Sequence, residues 1–169
     1  MISLHISVPQ YLTSSSQTDP KKLMTERGDF LRTVRRELKQ EIFYSRSVLV
    51  SGVKSNDEVW SFDFRPRCAN DNQIVSEPSM HEWLIKRGDV EGSPFEDQMQ
   101  IYVAPNVVLA CEKGCHQELQ FGEEGRLKCL ANIKQFISYD EMIAWLEGLP
   151  PFGGKTQEAM RWIEQNWEK

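Results

Sequence analysis

Residues 29–64 read DFLRTVRRELKQEIFYSRSVLVSGVKSNDEVWSFDF, and the hydrophobic period changes inside that stretch. Phe30, Val34, Leu38 and Ile42 recur every four residues, with Leu31 beside them. That is the spacing of an amphipathic helix. The helix is expected over residues 29–44, with Asp29 as N-cap after a short turn at 21–27. From Val48 the pattern tightens. Residues 48–53 are an apolar run, Lys54-Ser55-Asn56-Asp57 is turn chemistry, and Trp60, Phe62 and Phe64 then alternate with smaller or polar residues. These segments predict a β-hairpin. A helix followed at once by a hairpin points to an α+β class.

The flanks extend that reading. Ile2, Leu4, Ile6 and Val8 alternate with Ser3, His5 and Ser7, which predicts a strand ended by Pro9. Residues 10–20 form an expected flexible loop, and residues 65–72 are a loop containing Pro66. Ser79-Met80-His81-Glu82 has the form of a capping box, so a helix is expected to Arg87, stopping at Gly88. Residues 89–97 read as a flexible loop. Residues 99–133 read as a four-strand meander with turns at 105–106, 112–114 and 122–125. Ser138-Tyr139-Asp140-Glu141 is a second capping box, opening a helix that ends at Gly148. Residues 150–155 are a hinge, after which Thr156 caps a last helix. The two C-terminal helices are expected to pack through Met142, Trp145, Leu146, Met160, Ile163 and Trp167.

The expected order is therefore β-α-β-β-α-β-β-β-β-α-α in one domain, 1–169. The sheet is mostly antiparallel with helices on one face, and the opening matches a ferredoxin-like unit.

Composition bounds the function. The chain has 169 residues, 40% hydrophobic and 27% charged, enough for one core without metal or disulfide staples. No basic-then-apolar leader opens it, and the apolar run at 101–111 is broken by Pro105 and Asn106. Four cysteines are few for a secreted scaffold, so reduced thiols and a cytoplasmic location are expected, with no membrane contact. The net charge of -5 is uneven: residues 1–67 hold 11 basic and 8 acidic groups, residues 68–169 hold 9 and 17. An acidic chain disfavours a dedicated nucleic-acid binder, because phosphate affinity needs a basic field.

The motifs thin out on inspection. Gly153-Gly154-Lys155-Thr156 resembles the tail of a P-loop, but Leu149 stands where the first glycine belongs. His81-Glu82 lacks the second histidine of a zincin, since Ile85 is there. Cys111-Glu112-Lys113-Gly114-Cys115-His116 gathers three potential ligands within six residues, but not at the C-x2-C spacing of a zinc knuckle. Strand geometry also sets Cys129 about 13 Å from Cys115, so no metal and no cofactor are expected. Cys111 and Cys115, facing across a hairpin turn, remain a candidate redox pair.

The outer face of the first helix carries Arg32, Arg35, Arg36 and Lys39, a candidate surface for another, acidic protein. Trp60, Phe62, Arg65 and Arg67 are the candidate contacts of an alternative nucleic-acid module. No nucleophile–base pair is visible. The favoured reading is a non-enzymatic interaction or regulatory protein, with an enzyme of non-local site as the last alternative.

Overall fold

The computed structural model describes residues 7–13, 19–46, 49–53, 56–57, 59–63 and 65–168, with side chains except at 45, 49, 50, 53, 60 and 62. The strand expected over residues 2–8 lies almost wholly outside them. Helix α1 runs Pro20–Ser45, longer than its periodicity suggested. Its N-cap is Asp19, not Asp29: the Asp19 carboxylate accepts from the Lys21 and Lys22 amides, and Pro20 occupies the first helical position. Gly28 does not stop the helix. A Cβ there would meet nothing, so the glycine costs about 1 kcal/mol of propensity on an open face. The Arg27 guanidinium ties the first half down, donating to the Leu12 carbonyl at 2.7 Å and lying 5.1 Å from the Phe95 ring centroid.

The expected hairpin forms. Strands β1 (Leu49–Val53) and β2 (Val59–Asp63) pair antiparallel, with Ser51 opposite Ser61. A second antiparallel pair joins β3 (Pro78–Glu82) to β4 (Val107–Cys111), with Met80 opposite Leu109. Between them lie the short helix α2 (Phe95–Gln98) and 3-10 turns at Arg87–Val90, Met99–Ile101 and Ala104–Asn106. Helices α3 (Cys115–Gln120), α4 (Gly122–Ile133), α5 (Tyr139–Glu147) and α6 (Lys155–Asn166) complete the chain. The class is α+β with antiparallel pairing, as expected. The element order is not, and two separate two-stranded sheets replace the ferredoxin-like unit among the described residues.

Two corrections have clear causes. Ser79 to Glu82 is a strand, not a helix start. Strand β4 is almost wholly buried and needs a ladder partner, and its main-chain groups outweigh one local capping box. The meander is replaced by one strand and two helices. Cys129 and Ile133 are four apart, which suits a strand face and a helix face equally. Leu130 decides: Cys129, Leu130 and Ile133 are buried while Ala131 is exposed, a helical pattern. The loop expected at 89–97 stays turn and bend at 91–94, between the 3-10 turn ending at Val90 and helix α2 starting at Phe95.

The Ser138 capping box forms, with Glu141 N–H donating to Ser138 Oγ at 3.2 Å, and α5 ends at Gly148. Thr156 lies inside α6 and donates to the Pro150 carbonyl, while left-handed Gly154 sits at the cap. One continuous core joins Val34, Leu38 and Ile42 of α1, all of β4 but its last residue, and Met142, Leu146 and Ile163 of the last helices. Among the described residues no helix is long and apolar enough to cross a membrane.

Candidate functional site

The basic face of α1 packs beside β3, and that contact sorts its four cations. Arg32 pairs with Asp29 on the same helix. Arg35 pairs with Glu82 and lies over the Tyr102 ring, 5.6 Å from its centroid. Burial raises the Glu82 carboxyl, and the Arg35 charge opposes that rise. Arg36 and Lys39 have no ion-pair partner among the described residues. They line two adjoining hollows. One, of about 310 Å3, is closed by Arg35, Ser79, Met80 and His116. The other, of about 300 Å3, is closed by Gln40, Phe43, Tyr44, Ser76 and Pro78. Among the described residues no carboxylate lines either. Together they form a groove between α1 and β3, basic at one end and aromatic at the other.

At the basic end Ser79 Oγ and His116 Nδ1 are 2.8 Å apart, and the His116 ring stacks edge-on against His81 at 5.0 Å. Sequence reading missed this hydroxyl–imidazole pair, because residues 37 apart in the chain meet only when α3 folds against β3. Burial lowers the His116 pKa and, with help from the neighbouring His116 and Lys86 charges, lowers His81 to about 4. Among the described residues no carboxylate orients His116, as nucleophile activation would require.

The residues of the nucleic-acid alternative are otherwise engaged where they are described. Arg65 forks onto the Asp63 carboxylate, and Arg67 Nη1 donates to the Asn72 carbonyl at 3.0 Å. The side chains of Trp60 and Phe62 lie outside the described set. A larger hollow, about 430 Å3, opens beside Trp83 and Leu119. Its rim sets Lys86, Arg126 and Lys155 against Asp89, Glu123 and Glu158, so it carries no net charge to select a ligand.

The cysteines are arranged unlike the expectation. Cys111 ends β4, Gly114 turns the chain with φ 87°, and Cys115 opens α3, so the two do not face each other across a hairpin. They are nevertheless brought together, and with them Cys68 and Asp71 from a tight turn. All four cysteines are free thiols. Cys129, the partner that strand geometry ruled out, is buried in α4 and joins no such group among the described residues. A contact with Asn70 lowers the Cys115 pKa, but burial and hydrogen bonds to Asp71 and Cys68 overcome it and push the thiol up to about 12. Burial and the adjacent Cys68 raise Cys111 as well. The signal in the sequence was Cys68-x2-Asp71 together with Cys111-x3-Cys115, which a search for paired C-x2-C does not catch.

Comparison of this chain with protein-family models, with curated proteins and with solved structures finds no match.

Proposed function

We propose that this protein is a non-enzymatic recognition module that takes an extended acidic segment of another protein into the groove between α1 and β3. The observation that carries the reading is the sorting of the helix cations. Arg32 and Arg35 are ion-paired, while Arg36 and Lys39 meet no carboxylate in the groove among the described residues. A cation pair left uncompensated in a concave surface favours an anionic partner. The other end of the groove, with Phe43, Tyr44 and Pro78, suits an apolar or aromatic side chain. From Arg36 to Tyr44 the helix rises about 12 Å, the length of roughly four residues of extended peptide. Strand β3 pairs on one side only among the described residues, which leaves main-chain groups for such a segment to meet.

The test is fluorescence anisotropy with a fluorescein-labelled peptide of four glutamates ending in phenylalanine. Binding should weaken as salt rises. Arg36→Glu with Lys39→Glu should weaken it at least tenfold, and Arg32→Glu should leave it nearly unchanged. No binding, or binding indifferent to the double reversal, overturns the reading. Preferential capture of a labelled oligothymidine by the same groove would replace the protein partner with a nucleic acid.

A further inference from the structure

We propose that Cys68, Asp71, Cys111 and Cys115 form a mononuclear zinc site that pins the turn at 68–73, the end of β4 and the start of α3 to one another. Their ligand atoms, three sulfurs and one carboxylate oxygen, all lie within 4.8 Å of one another. A tetrahedral zinc ion with bonds of about 2.3 Å to sulfur and about 2.1 Å to oxygen sets its ligands roughly 3.5–3.8 Å apart. Closing the group onto one ion therefore needs movements of about 1 Å or less, within the reach of side-chain rotation.

The backbone supports the site from both sides. The turn is closed by Cys68 N–H to the Gln73 carbonyl at 2.7 Å and Asn72 N–H to the Cys68 carbonyl at 2.9 Å. An isolated bridge between Arg67 and Ile74 closes it further out. Ala69 N–H then donates to the Leu109 carbonyl at 3.0 Å, which lays the turn along β4 and brings Cys68 to Cys111. Helix α4 holds the turn from below through Lys128 Nζ to Asn70 Oδ1 at 3.1 Å and Asn132 Nδ2 to the Arg67 carbonyl at 3.3 Å.

Asp71 is already aimed. Its Oδ1 accepts the Gln73 amide at 3.0 Å, and its Oδ2 is left toward Cys115 Sγ at 3.4 Å. A carboxylate held at one oxygen by a backbone amide, with the other oxygen turned to the thiols, is how outer-shell hydrogen bonds orient a metal ligand.

Donor chemistry selects the ion. Three thiols with one carboxylate favour zinc over magnesium or calcium, which prefer all-oxygen shells. A disulfide would use two of the three sulfurs and leave one thiol with the carboxylate, so pairing does not account for the fourfold convergence. Four protein ligands fill a tetrahedron and leave no position for water or substrate, which makes the site structural. Cys68 is buried while Cys111 and Cys115 are half-exposed, so an ion can reach the site from solvent.

The experiment is metal analysis and cobalt substitution on the full reduced chain. The chain should bind one zinc ion, and cobalt(II) in its place should give the intense visible bands of a tetrahedral thiolate complex. Removing the ion with a chelator should lower Tm, and restoring zinc should recover it. Cys115→Ser and Cys111→Ser should each abolish the cobalt bands. Asp71→Asn should weaken zinc binding while leaving the sulfur-to-cobalt charge-transfer bands. Cys129→Ser, outside the set, should leave one ion bound. Because Cys68→Ser could simply unfold the chain, the half-exposed Cys111 and Cys115 variants carry the test, with far-ultraviolet circular dichroism confirming their fold. No uptake of zinc or cobalt by the reduced wild-type chain overturns the proposal. So does retention of tetrahedral cobalt in both half-exposed serine variants.

Discussion

Replacing Asn106 with alanine should be among the most damaging single changes in this protein. Asn106 is fully buried at the end of the 3-10 turn that leads into β4. Its Oδ1 accepts from the Leu84 amide at 3.2 Å and the Ile85 amide at 2.9 Å. Its Nδ2 donates to the Ile85 carbonyl at 2.7 Å and the Ile101 carbonyl at 3.0 Å. One side chain thus satisfies four main-chain groups where the chain leaves β3 and returns toward β4. At about 1 kcal/mol net for each hydrogen bond, the alanine variant loses about 4 kcal/mol. That is a large share of the 5–15 kcal/mol typical of a folded domain. Urea unfolding, followed by tryptophan fluorescence, measures it. With a slope of about 2–3 kcal/mol per molar urea, the midpoint should fall by roughly 1.3–2 M. A fall below about 0.5 M would mean that water or rearranged backbone satisfies those groups, and the reasoning from burial would be refuted.

Two further outcomes test other parts of the structure. His81 has its folded pKa lowered from 6.5 to about 4, so the unfolded chain takes up the proton first as pH falls. Stability is full above pH 6.5 and is lost toward pH 4, with about 2 kcal/mol disappearing between pH 7 and pH 5. His116 acts in the same direction, so the comparison is made between wild type and His81→Asn; equal slopes in the two proteins would contradict the assignment. Gly125→Ala would place a Cβ 2.7 Å from the Leu119 carbonyl oxygen, where α4 crosses the end of α3. Helix propensity alone predicts a gain of up to about 1 kcal/mol, whereas the clash predicts a loss of about 1–3 kcal/mol; the sign of the change in Tm separates the two.

Local patterning made parts of this protein legible from its residues alone. The hairpin at 49–63, the core stripe of α1 and the Ser138 capping box each depend on neighbours in sequence, where side-chain period and turn chemistry act directly. The α+β class follows from those elements. Helix α4 was lost to a coincidence of spacing, because residues four apart fit both periods. Strand β3 was lost because a local capping signal competes with the ladder demanded by a buried strand 29 residues further on. Both candidate sites are tertiary in the same way. Arg36 and Lys39 were visible as charge, and Arg32 finds Asp29 within its own helix, but only the fold sets Arg35 against Glu82 and leaves the other two in a groove. Cys111 and Cys115 were visible as a pair, but the turn that brings Cys68 and Asp71 to them is set by one amide of that turn donating to β4. The sequence determined which residues had chemistry to offer; the packing of distant segments decided which of them converge, because convergence depends on main-chain hydrogen bonds between strands and turns that no local pattern encodes.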